Sequence, residues 1–450
     1  MIIKTNLEWL YPELLEEAKF FSGTGDIEIN HTHSSNFVDE IDICGKKYNY
    51  TNYRDFSTPL EEKRYIKRFA KLALYNAMSD YLGQNLPWGA LTGIRPVKFA
   101  YGEGERWRKE MGDVMRVSPK KLDMVAAIME QQKPFTDIAE NSCDLFIGIP
   151  FCPSRCLYCS FMSSEIGKCD NANEYVDALV KEINASKPLI GNLRSVYIGG
   201  GTPISLPISQ LSRILEAVGD VNCEYTVEAG RPDCITDDVL KLLSDHGVTR
   251  ICVNPQTFKD DTLELLGRKH TVKEIYDKYY LARKYSFDIN MDLIAGLPEE
   301  SFDDFKNSIN AAIDLSPENL TVHTLSLKAG SRLKEMVDRL PEGQIDKMID
   351  YSYDRLTESG YFPYYMYRQK YMAGNLENTG YTKAGKACVY NVDVMEEIAD
   401  NLACGANAVS KKLFSGGERI ERYGAPKDIS TYISKIDKVI EEKNKLFSSK

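Results

Sequence analysis

The chain has 450 residues, 43% of them hydrophobic, enough to bury the cores of two or three domains. A formal net charge of −10 speaks against a general nucleic-acid or anionic-membrane surface, since both require a basic face. No apolar run approaches the roughly 18 residues of a membrane span, and acids interrupt the N-terminal segment as they do not in a signal peptide, so a cytoplasmic protein is expected.

Residues 1–140 read as a separate N-terminal α+β domain. Segments 27–31, 36–45 and 46–54 alternate well enough to be three antiparallel strands, with Cys44-Gly45 as a hairpin turn. His31 and His33 share one face of the first strand; a solvated edge is the expectation and a metal pair the alternative. Tyr65, Phe69, Leu72, Ala73 and Ala77 recur at helical spacing over 60–83, and LPWGALTGIRP (86–96) breaks the pattern. A second helix is expected near 119–132.

An apolar run ending at Pro150 reads as a buried strand, and the loop leaving it carries Cys152, Cys156 and Cys159 at C-x3-C-x2-C spacing. Three thiolates on one loop can hold three corners of a cubane iron–sulfur cluster. Such clusters usually take four cysteines, so three leave one iron open to another ligand. Zinc is the alternative, but no second Cys or His pair lies near enough in sequence, Cys169 apart. The remaining cysteines are scattered and read mostly as small buried hydrophobes.

Beyond this loop, strands alternate with helices. The predicted strands are 144–150, 195–200, 224–229, 249–254, 287–296 and 319–327; the helices include 173–186 and 236–245, the latter entered by Thr236 with two acids in its first turn. This order implies parallel pairing and right-handed crossovers, and an open barrel of six β/α units over 141–330 is the natural reading. Function in parallel barrels sits at the C-terminal strand ends, where the cysteine loop falls. Gly199-Gly200-Gly201-Thr202-Pro203 ends the second strand and would let backbone approach a small ligand, although a tight turn explains the run equally well. Glu228 closes the third strand, Gln256 and Arg268 follow the fourth, and Asp292 lies in the fifth. After 330 come a helix with Ile345, Met348, Ile349, Tyr353 and Leu356 on one face, closed by Gly360, a tyrosine-rich stretch over 361–381, and an amphipathic helix over 426–446.

The strings GIPFCPSRCLYC, GGGTP, TVEAGRPD, VNPQTF, LLGRKHT and MDLIAGLPEES resemble the radical S-adenosylmethionine (SAM) superfamily, in its oxygen-independent coproporphyrinogen III oxidase branch. The resemblance spans nearly the whole chain and is specific over 145–300. It implies an α/β fold, a partial (β/α)6 radical SAM barrel at 141–330 between the N-terminal domain and a C-terminal α+β extension at 331–450. It implies a [4Fe–4S] cluster on Cys152, Cys156 and Cys159 with SAM on the open iron. Tyr158, Gly199, Gly200, Gly201 and Thr202 would flank the methionine end of SAM, and Glu228, Gln256, Arg268 and Asp292 would contact it further along.

The activity implied is decarboxylation of coproporphyrinogen III propionates to vinyls in haem biosynthesis, driven by a low-potential electron donor such as flavodoxin or ferredoxin. Arg95, Arg368 and Lys370 are then candidate cations for a tetrapyrrole's propionates, and the tyrosine-rich stretch is either a packed strand pair or a lining for its flat ring. A haem chaperone shares the same core but has a His-Asn pair where Gly374-Asn375 stands here; an anaerobic haem-degrading radical SAM methyltransferase is a further alternative. Phe161 occupies the position at which the well-studied bacterial oxidase has another cysteine.

Overall fold

Short strands and long amphipathic helices sort the chain into two units, residues 1–126 with 374–376 and residues 127–373 with 377–450. The computed structural model describes every residue except 22–23, 36, 52–54, 57, 94, 160–163, 327–330, 334–343, 370–371, 415–416, 418 and 449–450.

In the first unit, Glu28–His33, Val38–Ile43 and Lys46–Thr51 form the expected antiparallel strands. Cys44 and Gly45 both take positive φ (49° and 91°), as a two-residue hairpin turn requires. Ile29, Ile41 and Ile43 alternate onto one face and pack with Ala70, Ala73, Leu74 and Ala77 of the helix Pro59–Leu82. Thr58 caps that helix by accepting from the Glu61 N–H, and Gly83 ends it in the left-handed region. A fourth strand, Ile2–Thr5, was not expected; it pairs parallel to Glu28–His33 and covers the supposed edge. His31 is consequently buried rather than solvated, its ring 2.8 Å from Thr5 Oγ1 and 2.6 Å from Asp39 Oδ1, and His33 shares the same carboxylate oxygen at 3.1 Å.

The second unit is built on one open sheet of eleven strands. Its strands are β1 (Ser142–Ile149), β2 (Asn192–Gly200), β3 (Glu224–Val227), β4 (Arg250–Cys252), β5 (Asp288–Ala295), β6 (Asn319–Thr324), β7 (Phe362–Tyr367), β8 (Asn378–Thr382), β9 (Asp400–Cys404), β10 (Val409–Phe414) and β11 (Arg419–Gly424). The spatial order is 7-8-6-5-4-3-2-1-9-10-11. Strands β1 to β6 are parallel and consecutive, the predicted β/α array. On one side β8 and β7 extend it antiparallel; on the other β9 pairs parallel with β1 and turns into the meander β10–β11.

Helices Ala172–Ser186, Ile208–Val218, Asp237–Asp245, Val272–Ala282 and Phe302–Leu315 return the chain between parallel strands. Thr236, Thr271 and Ser301 cap three of them through side-chain oxygens. Burial along β1 is nearly continuous, as for a strand covered on both faces, whereas β5 buries Ile289, Met291 and Leu293 and leaves Asn290 and Asp292 on the partly open face. The single helix expected over 426–446 is two, Ile429–Ser434 and Ile436–Ser448, broken at Lys435. Among the described residues no helix is long and apolar enough to cross a membrane.

Candidate cofactor site

Strand β1 delivers the cysteine loop through Pro150, and the end of β2 holds it. The Gly201 N–H donates to Ile149 O and the Thr202 N–H to Phe151 O, both at 2.7 Å. A Cβ on Gly201 would lie 2.4 Å from Phe151 O, and one on Gly199 would lie 2.8 Å from the Glu228 carboxyl. These glycines therefore first serve close packing of chain on chain, and the N–H groups of Gly201 and Thr202 are spent on the loop; Gly200 supplies the positive φ of 103° at the turn. On its far side the loop is pinned by the Leu157 N–H to Leu266 O at 3.0 Å and the Leu333 N–H to Leu157 O at 2.9 Å.

Cys152, Cys156 and Cys159 all lie on this loop. Two of the sulfurs face donors: Thr202 Oγ1 stands 3.5 Å from Cys152 Sγ, and Arg231 Nη1 stands 3.5 Å from Cys156 Sγ. Thiolate is the form of cysteine that ligates iron. Among the described residues no three His, Cys, Asp or Glu side chains converge on one ion position. The donor set, three thiols on one loop, fits a cluster that leaves one iron open to another ligand. Of the remaining cysteines, Cys143, Cys252, Cys388 and Cys404 are buried in the core.

The polar residues expected at the strand ends gather beside this loop. Glu228 accepts a 2.6 Å hydrogen bond from the Tyr197 O–H, and burial raises its pKa to about 7 against the pull of that bond, with the Asp292 charge adding to the rise. A carboxyl held there without a cation suits an incoming ammonium. Arg268 ties the cysteine loop to two strand ends, its guanidinium donating to Tyr158 Oη (3.2 Å), Gly230 O (3.0 Å) and Asn254 O (2.6 Å). Asp292 accepts from the Asn254 and Asn290 amides at 2.7 and 2.8 Å.

Gln256 takes φ of 69°, costly for a residue with a Cβ. It is held there by its N–H to Asp292 O at 2.9 Å and by Ile294 N–H to its own carbonyl at 3.0 Å. The chain has spent backbone strain at a position the sequence already marked.

The substrate candidates separate. Arg368 follows β7 and is 3% exposed, so a carboxylate reaching it must enter the interior; Arg95 belongs to the first unit, at the start of helix Pro96–Glu103, and Lys370 lies outside the described residues. The tyrosine-rich stretch forms the strand pair β7–β8, where Gly380 makes room for the Tyr365 ring opposite it. Tyr365 and Tyr367 stack at 6.5 Å, and Tyr197 and Tyr390 at 4.4 Å. Sequence reasoning missed Arg231, Asn254 and His323. His323 stands 3.8 Å from Asp292 Oδ2 and 3.4 Å from the Tyr367 hydroxyl. Period-2 alternation along NLTVHT could have placed His323 in phase with its neighbours on β5.

Residues 146–312 match the radical SAM superfamily. The chain is 33% identical over 433 residues to the oxygen-independent coproporphyrinogen-III oxidase-like protein HemZ of Bacillus subtilis, covering 90% of this chain and 86% of that protein. It is 29% identical over 313 residues to the heme chaperone HemW of Haemophilus influenzae, covering 67% and 78%. Among solved structures, the coproporphyrinogen III oxidase HemN of Escherichia coli, a radical SAM enzyme, superposes with a TM-score of 0.54 at 23% identity, over 70% of this chain and 72% of that one; at that identity the likeness speaks for the fold.

Proposed function

The chain belongs to the radical SAM superfamily, in the family of HemZ, and from that membership we propose that it is an oxygen-independent oxidative decarboxylase of a propionate-bearing tetrapyrrole, with coproporphyrinogen III as substrate. Its cofactors are those of the family, a [4Fe–4S] cluster and SAM. Cys152, Cys156 and Cys159 would hold the cluster, Glu228 the SAM ammonium, and Arg268, Gln256 and Asp292 the remainder of the cofactor. When bound, the pair supplies a one-electron reductive cleavage that yields a hydrogen-abstracting carbon radical.

The chain's own residues supply position. Arg268 locks Tyr158 to the ends of β3 and β4, so the loop and the strand ends keep one spacing. The Asn254 and Asn290 amides orient the Asp292 carboxylate. Buried tyrosines of β7 and the stacked pair Tyr197–Tyr390 offer flat apolar faces and exclude water from a radical reaction. Each propionate would lose a hydrogen atom, carbon dioxide and one electron to become a vinyl group, two rounds giving protoporphyrinogen IX.

The observation that carries the reading is likeness over 86% of a coproporphyrinogen-III oxidase-like relative, against partial coverage of the chaperones. HemW likeness nonetheless favours haem binding as the second reading; Gly374-Asn375 in place of that branch's His-Asn pair speaks against it. The deciding experiment is anaerobic incubation of reconstituted protein with SAM, reductant and coproporphyrinogen III, with tetrapyrroles analysed by mass. A product lighter by two formic-acid equivalents supports the decarboxylase. Haem bound intact without turnover supports the chaperone, and an added methyl group supports a methyltransferase.

A further inference from the structure

Arg231 lies just past β3, three residues after Glu228, and is 4% exposed. Its guanidinium is committed on two edges. Nε and Nη2 grip Asp233 Oδ1 and Oδ2 as a fork, both at 2.8 Å. Nη1 faces the cysteine loop, 3.3 Å from Ser154 Oγ, 3.5 Å from Ser154 O and 3.5 Å from Cys156 Sγ. The planar fork leaves no freedom: with Asp233 seated on one edge, the other must point at the loop. Buried His270 lies beside Asp233, its Nδ1 3.7 Å from Oδ1. A buried cation is expensive unless it is paired. Asp233 alone would neutralise it, and a partner on the strand-end side would have sufficed, yet the side chain is turned so that its second N–H edge meets Ser154 and a candidate iron ligand.

We propose that Arg231 sets the reduction potential of the cluster, by donating to the Cys156 sulfur and by holding a fixed positive charge beside the loop. This rests on the reading that Cys152, Cys156 and Cys159 ligate that cluster. Reduction adds one electron and therefore negative charge to the cluster; a donor on a ligating sulfur and a nearby guanidinium both stabilise the reduced form and raise the potential. Asp233 acts in the opposite sense through its charge, while fixing the direction in which the guanidinium points. Arg231 is thus a positioning and tuning residue.

The test is a reductive titration of anaerobically reconstituted full-length protein, without SAM, following the reduced-cluster signal by electron paramagnetic resonance with iron content measured in parallel. Arg231→Gln is expected to lower the reduced-to-oxidised ratio at the wild-type midpoint by about tenfold or more, a negative shift of about 59 mV for one electron. Arg231→Lys, which keeps the charge, should fall by less, and Asp233→Asn, which removes the opposing carboxylate, should shift positive. Arg231→Gln with full iron and an unchanged midpoint overturns the proposal and leaves Arg231 as a brace for the loop. Should Arg231→Gln not retain iron, Asp233→Asn decides, and a midpoint at or below wild type overturns the proposal. A wild-type protein that takes up no cluster overturns the cofactor reading itself, and this proposal with it.

Discussion

Glu228 faces water poorly, and its pKa of about 7 against about 4.5 when free has two consequences of opposite sign. In the unliganded protein the folded state holds the proton more tightly than the unfolded chain, so the carboxyl's contribution favours folding at low pH and is lost as pH rises from about 4.5 through about 7. An ammonium placed beside it prefers the ionised form, so SAM affinity should climb between about pH 6 and 8 as the carboxyl gives up its proton. Calorimetric titration with SAM across that range should show the rise in wild type and a flat profile in Glu228→Gln; an equal slope in the variant removes Glu228 from the ammonium site. At the same scale, Cys156→Ala should lose most of its iron, whereas Cys388→Ala, whose buried thiol donates to Glu224, should keep wild-type iron. The three candidate ligands stand out in the sequence because their spacing is itself the chemistry. Arg231 does not, although GRPD is in plain view, because the direction of a guanidinium is decided by Asp233, and no linear pattern states it.

Among the elements, period-2 alternation on β5 was enough to place Asp292, since Ile289, Met291 and Leu293 must share the opposite face. Asp292→Ala should leave the cluster intact and weaken SAM by about tenfold to a hundredfold, the value of one lost hydrogen bond in a buried site. Unchanged affinity would exclude it from contact. Gly201 tests the strand end itself: a methyl group would press 2.4 Å from Phe151 O, so Gly201→Ala should displace the cysteine loop and cost about 1–3 kcal/mol of stability by overpacking. Thermal unfolding read together with iron content checks it, and full iron at the wild-type melting temperature would contradict this packing. Elements with strong local signals were legible, the capped helices and the β/α order above all. What escaped was decided by contacts distant in sequence: Ile2–Thr5 is four residues long and gains strand character from pairing with Glu28–His33, and His31 is buried by that pairing. Lys435 breaks a helix whose apolar period runs on unbroken.

At the scale of the second unit, the C-terminal segment is tied to the parallel part of the sheet by a charge pair in the core. Lys443, 1% exposed on helix Ile436–Ser448, reaches Glu182 Oε1 at 2.5 Å on helix Ala172–Ser186, the helix that follows the cysteine loop. Cys404 of β9 stands 3.3 Å from the same ammonium, while Tyr432 O–H and the Gly405 N–H donate to the other Glu182 oxygen. Burial pushes the Lys443 pKa down, but Cys404 and Glu182 more than offset it, so the ammonium stays charged. Removing one partner strands the other charge in the core, at about 3–5 kcal/mol, whereas removing both leaves no charge to strand. Lys443→Met should therefore lower the unfolding midpoint in denaturant markedly, and Lys443→Met with Glu182→Gln should recover part of the loss. Iron content and SAM affinity measured well below the transition should match wild type in both, because the partners of Lys443 among the described residues are Glu182, Ser186 and Cys404. A double variant no more stable than Lys443→Met would mean that the helix contributes packing at this point and that the buried charge contributes nothing separable from it.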